Sequence, residues 1–265
     1  MKIADSLRHE CMPEMVYSIC KLANGERERS DIQRLITLGA TDKESQDQFS
    51  NVFNFAKECN FISEDNTKII CLLDSAKLNS FKEFRMQVAK GVFENRNTKF
   101  CKAAEWFLSQ NKADMFSLDN AEKLSSSFTS SFGFNPDKYF ALGFRFWMVA
   151  LGFAAFQGYR KSAIAFACFD IISQWIHESK LEKGKAIPAR LFFDSLGGDI
   201  AIFNSMISNN KLNTALSMAL RTLRDAGVIS LVYTKDSSDV WHLEVAQLDA
   251  GNDDRFTEII IKEAY

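Results

Sequence analysis

Proline is scarce in this 265-residue chain, with three in all, and glycine stops at twelve. So few turn-forming residues speak against a turn-rich β architecture and for long helices. Histidine is just as scarce, at three, and the three are scattered. The six cysteines, Cys11, Cys20, Cys59, Cys71, Cys101 and Cys168, form no CxxC pair, and most sit within apolar runs. Neither set has zinc-ligand spacing, so no metal or cofactor is expected; the thiols read as buried in a reducing cytosol. The first residues, MKIADSLRHECM, lack an apolar signal core, and a cytoplasmic protein is expected.

Catalytic signatures are missing too. There is no GxxxxGK[ST] loop to cradle phosphates and no GxSxG elbow to present a nucleophile. His9-Glu10 and His177-Glu178 lack a second histidine one helical turn away, and Gly197-Gly198-Asp199 stands without a cyclase motif. Pro136-Asp137 is followed by no nuclease-like strand. The expectation is a protein without enzyme activity.

What is present is apolar and charged in globular proportion, 46% and 25%, with 24 phenylalanines. The net charge of -2 hides an asymmetry. Residues 1–76 carry 9 basic and 13 acidic side chains, residues 77–186 carry 16 and 10, and the remainder 7 and 11. Phosphate, if met at all, is therefore met by the middle. Lys82, Arg85, Lys90, Arg96, Lys99 and Lys102 recur there, between Lys77 and Lys112, as candidates for sequence-independent contact to DNA. Residues 139–156 form one long apolar run, but Arg145 lies within it, which points to a buried helix and away from a membrane span.

The chain divides into three blocks and a tail. In residues 1–76, Pro13 opens a helix to 23, Ser30-Asp31 caps a second, and Thr41-Asp42 opens a third to about residue 60. A hairpin follows, 61–62 and 68–73 around a polar turn. Three helices and a hairpin are the order of a winged helix-turn-helix. Its third helix carries Lys43 and Lys57 against Glu44, Asp47 and Glu58, a balance that phosphate would repel and that favours protein docking. Residues 77–186 read as helical: 81–93, 98–109, 119–128, then a central helical hairpin, 136–157 and 160–181, broken at Gly158. Residues 125–131, SSSFTSS, read as a flexible polar stretch.

Residues 187–247 repeat the first pattern. A helix over 189–196 ends at Gly197-Gly198, a short helix covers 200–207, and Asn213 caps a third over 214–226. Gly227 ends it, and strands 228–234 and 240–245 make the hairpin. Residues 248–265 are an acidic tail in which FTEIII could add a strand. The expected fold is thus mainly α with small β-hairpins, two winged helix-turn-helix modules flanking a helical middle.

The run LNTALSMALRTLRDAGVISLVY resembles the recognition-helix-to-wing segment of winged-helix proteins. By that resemblance Thr214, Ser217 and Arg221 face the DNA groove, with Arg224 on the same exposed face and Lys235 on the wing. The whole chain is similar to tandem winged-helix proteins that bind kleisin subunits of chromosome-organising ATPases, or to accessory subunits of bacterial anti-phage and anti-plasmid systems. The resemblance implies a scaffold or accessory subunit, partnered by other proteins such as a coiled-coil ATPase, with DNA bound weakly and self-association left open. A sequence-specific regulator, reading DNA through 214–224, is the competing class.

Overall fold

A computed structural model describes residues 1–111, 114, 115, 118, 120–132, 138–158, 163–244 and 254–262. Within these the chain is mainly helical with small sheets. Helices α1 (Pro13–Ala23), α2 (Arg29–Ile36) and α3 (Lys43–Glu58) come first, with strand β1 (Arg27–Glu28) between α1 and α2. Asp42 caps α3 by accepting the Ser45 N–H at 2.9 Å, so one orphan amide of the first turn is satisfied. Asn60 takes φ 59° and Phe61 N–H returns to Ala56 O, which closes the helix. Strands β2 (Ile62–Asp65) and β3 (Lys68–Cys71) follow, and the antiparallel sheet runs β1-β3-β2.

The middle holds α4 (Phe81–Val92), α5 (Lys99–Ser109), α6 (Ala121–Phe132) and α7 (Lys138–Ala150). Ser80 and Glu83 form a reciprocal capping box on α4, and Thr98 caps α5. The polar stretch 125–131 is not a loop: it lies in α6, where Phe128 and Phe132 pack edge-on to Trp106. The expected long helical hairpin is also corrected. At Gly152 (φ 81°) the chain turns out of α7, with Phe153 N–H bonded to Met148 O. Strand β4 (Ala154–Gln157) then pairs antiparallel with β5 (Ala163–Phe166), and only afterwards does α8 (Phe169–Glu178) begin. A left-handed glycine and two short apolar strands outweigh the helical periodicity there. Pro136-Asp137 and Lys112 lie outside the described residues.

After α8 come β6 (Ala186–Pro188), α9 (Ala189–Asp199), a 3-10 turn (Ala201–Met206), β7 (Ile207–Ser208) and β8 (Lys211–Leu212). Helix α10 (Thr214–Asp225), capped by Asn213, leads to β9 (Ile229–Val232), β10 (Trp241–His242), β11 (Arg255–Phe256) and β12 (Glu258–Ile261). Helix α9 runs through Gly197-Gly198 instead of ending there. A Cβ on Gly197 would sit 2.0 Å from Asn204 Oδ1, so the glycine lets the following turn close against the helix. The expected hairpin of 228–234 with 240–245 does not form. Strand β9 pairs with β12 at four positions, and β10 pairs with β11 and, in parallel, with β8. Three consecutive isoleucines in β12, two of them fully buried, make the better sheet centre. Trp241 of β10 instead stacks on Phe193 at 4.7 Å.

The element order of the first 71 residues recurs. Helix, strand, helix, helix, strand, strand, with sheet order β1-β3-β2, is matched by α8, β6, α9, α10, β9, β12, with sheet order β6-β12-β9, once the interposed 3-10 turn and the separate sheet of β7, β8, β10 and β11 are set aside. Even the exits agree: Gly227 takes φ 74° and Val228 N–H returns to Leu223 O, as Phe61 does to Ala56. One continuous apolar core joins everything. Helix α1 packs on α7, α4 on α8, and α5 on α10. Trp147 at its centre donates to Cys11 O at 2.8 Å. No helix among the described residues is long and apolar enough to cross a membrane. Arg145 of α7 is buried and lies 5.7 Å over the Phe156 ring.

Candidate interaction surfaces

Long basic side chains are drawn to carboxylates and backbone carbonyls wherever folding brings these within reach. Three of the six candidate bases of the middle, Arg85, Lys90 and Arg96, are taken up this way. Arg85 donates through Nε and Nη2 to Gln174 Oε1, at 2.9 and 2.5 Å, and lies 3.7 Å from Asp170. Burial lowers the pKa of its guanidinium, opposed by Asp170 and Glu178. Lys90 sits 3.9 Å from Glu178 and 3.6 Å from Asp199, and Asp199 also accepts the Trp175 indole N–H at 2.8 Å. Arg96 donates to Ala201 O and pairs with Glu105. The Lys99 amide is bonded to Asp5 Oδ1. Of the six candidates, Arg85, Lys90 and Arg96 are thus engaged within the fold, and Lys82 and Lys102 are open to solvent. Arg85 and Lys90 fasten α4 to α8 and α9, and Arg96 reaches the 3-10 turn.

Helix α10 is corrected in the same sense. Ser217 is fully buried, donating to Leu212 O and accepting the Glu244 N–H at 2.8 Å. Arg221, 12% exposed, donates to Glu244 O and to Asp254 Oδ1, both at 2.6 Å. Thr214 hydrogen-bonds the Glu244 carboxylate, and Arg224 pairs with its neighbour Asp225. The segment carrying Glu244 and the residue before β11 thus lie across the helix face assigned to the groove. The stripe left outside is Met218, Thr222 and Asp225, spaced four and three. Lys235 is exposed on a turn that Arg190 pins through Asp239 at 2.7 Å. On α3 the exposed positions are Lys43, Glu44, Asp47, Gln48, Asn51, Asn54 and Glu58, net acidic as the sequence implies.

Two features escaped the sequence reading. An apolar groove of about 650 Å³ runs between α1 and α2, lined by Glu14, Met15, Ser18, Lys21, Leu22, Leu35 and Ile36. Leu38, just beyond, is 93% exposed and held at φ 52°. The only signal in the sequence was Leu38-Gly39 itself, a large apolar residue at a helix exit. The second is a thiol pair. Cys20 and Cys71 perturb one another, the Cys71 thiol being pushed below its ordinary pKa and the Cys20 thiol above it by their mutual contact. Burial pushes Cys11 and Cys101 up to about 11 and Cys168 up to about 12. Among the described residues, no three His, Cys, Asp or Glu side chains gather to hold a metal ion.

A family model described as DpdG-like matches residues 8–237, from just before α1 to beyond β9. The chain belongs to the DpdG-like family. That family is associated with defence against phages and plasmids. No curated protein and no solved structure matches the chain.

Proposed function

We propose that this DpdG-like chain is a non-catalytic accessory subunit of a prokaryotic defence complex, built on two winged helix-turn-helix modules that dock protein. The modules are residues 13–71 and 169–261, a wider second module than the sequence suggested. Their repeated helix–strand–helix–helix–strand–strand order, with the last strand central in each sheet, supports this assignment. The observation that carries the docking role is the state of the two third helices. On α10 the groove-facing side is closed by Glu244 and Asp254, and on α3 the open side is acidic. DNA contact then falls to scattered lysines such as Lys82, Lys102 and Lys235, which position a backbone without reading bases. This favours the accessory subunit over the sequence-specific regulator.

The test is fluorescence anisotropy with short duplexes of unrelated sequence, at low and physiological salt. The expected result is weak binding, equal for all duplexes and lost as salt rises, with Lys82→Glu plus Lys102→Glu weakening it evenly. In parallel, co-expression with proteins encoded beside the gene, a coiled-coil ATPase first where one is present, should yield a complex that Met218→Glu with Thr222→Arg disrupts. Tight, sequence-selective binding at physiological salt would sink the proposal in favour of the regulator.

A further inference from the structure

Of the six cysteines, five are buried and Cys71 alone keeps part of its surface open. It lies on β3, the middle strand of the first sheet, where side chains alternate between the two faces. Ile69, two residues earlier and therefore on the same face, is fully buried, so this face looks into the core. Helix α1 packs against β3. On α1, Cys20 stands four residues after Val16 and three before Ala23, all of them buried, which puts it on the inward stripe of the helix. The helical and strand periodicities thus bring together two thiols that α2 and α3 separate in the chain, and the two sulfurs are in contact.

That contact gives the two thiols different characters. Cys20 holds the Cys71 thiol below its ordinary pKa, against the effect of burial and with help from the Leu73 amide, so Cys71 carries thiolate near neutral pH. Cys20 remains a thiol, its pKa raised by the same contact and by its own burial. Burial keeps the other four protonated, lifting Cys11 and Cys101 to about 11, Cys168 to about 12 and Cys59 further still. A half-open thiolate beside a resolving thiol is the arrangement that captures oxidised sulfur before it oxidises further.

We propose that Cys20 and Cys71 form a reversible redox site that takes hydroperoxides as oxidant and closes into a disulfide joining α1 to β3. The Cys71 sulfur attacks one peroxide oxygen. Its S–O bond forms as the O–O bond breaks, and the departing hydroxide takes up the proton that Cys71 released, leaving as water. Sulfur is oxidised to the sulfenic acid and the peroxide is reduced. The Cys20 sulfur then attacks the Cys71 sulfur. The S–S bond forms as the S–O bond breaks, and the leaving hydroxide takes the Cys20 proton as a second water. Two thiols and one hydrogen peroxide give one disulfide and two waters. The product ties the first helix of the N-terminal module to the middle strand of its sheet. The proposal goes beyond the docking role and does not depend on it, since neither sulfur lies on the exposed face of α3.

The experiment treats the full chain, reduced and then freed of reductant, with dilute hydrogen peroxide. Free thiols are blocked with iodoacetamide, and the protein is weighed by mass spectrometry, intact and as peptides. The expected result is the loss of two hydrogens, one cross-linked peptide pair carrying Cys20 and Cys71, and full reversal by dithiothreitol. Cys20→Ala should instead leave a sulfenic acid at Cys71 that dimedone traps, and Cys71→Ser should form no disulfide. The wild-type measurement stands without the variants, so a misfolded variant does not rescue the idea. A wild-type chain that keeps both hydrogens overturns it. So does a disulfide between any other pair, or a Cys71 driven to sulfinic acid while Cys20 stays free.

Discussion

Arg221 decides between two accounts of α10, because each assigns it a different loss. Read as a groove-facing base reader, Arg221→Ala would leave stability alone and abolish sequence-selective DNA binding. In the structure it is a clasp. Its guanidinium is 12% exposed and bonds both Glu244 O and the Asp254 carboxylate, itself 16% exposed. Removing it leaves a nearly buried carboxylate without its cation and a carbonyl without its donor. Stranding one member of such a pair costs about 3 kcal/mol. For a chain of this length that lowers the melting temperature by about 6–12 °C. The measurement is thermal and urea unfolding of wild type, Arg221→Ala and the double variant Arg221→Met with Asp254→Leu. The double variant should recover much of the loss, since it removes the stranded charge along with its partner. An Arg221→Ala protein as stable as wild type would refute the clasp, and a simultaneous loss of selective DNA binding would restore the groove-reading role.

Three further outcomes follow from single contacts. Asn213→Ala removes both the α10 cap, Leu216 N–H to Asn213 Oδ1, and the bond from Asn213 Nδ2 to Leu108 O that ties α10 to α5; unfolding in urea should show a loss of about 2 kcal/mol. At Gly143 a Cβ would lie 2.6 Å from the Arg8 backbone carbonyl oxygen, so Gly143→Ala should push α7 from the N-terminal segment and cost about 1–3 kcal/mol by the same assay. Asp42, held below its ordinary pKa by the Ser45 amide and hydroxyl, stabilises the folded state above the unfolded carboxylate pKa and loses that effect as pH falls through its own lowered value. Asp42→Asn, which still caps but does not titrate, should flatten the acid limb of the stability curve, and an unchanged limb would rule out this contribution.

Local signals were the legible part. Pro13, Asp42 and Asn213 mark helix starts, and Asn24-Gly25 and Gly227 mark ends, because a cap is settled by residues within one turn of it. The α3 acidic face could be read too, since helical spacing alone decides it. What escaped depended on segments far apart in the chain. Strand β9 found its partner in β12, past an intervening pair of strands, where a hairpin rule favours the nearest neighbour. Residues 154–157 and 163–166 pair as strands although each fits a helical apolar pattern when read alone.

The same distance effect explains the charge reading. The surplus of bases in residues 77–186 is a count, and part of it, Arg85, Lys90 and Arg96, is engaged within the fold. The bonds that engage these bases span 89 residues from Arg85 to Gln174 and 105 from Arg96 to Ala201. Lys90 reaches Glu178 at the end of α8 and Asp199 at the end of α9, so one ammonium joins two helices of the second repeated unit to α4. Charge placed at such a joint is held against moving elements and is withdrawn from any ligand that would compete for it. Side chains outside these joints include Lys82, Lys102 and Lys235, each standing singly, and three helix faces: the acidic face of α3, the Met218–Thr222–Asp225 stripe of α10 and the Glu14–Lys21 edge of α1. Two of those three faces are net acidic and the third is balanced, which is why the proposed docking role rests on them and contact with phosphate is left to the single lysines.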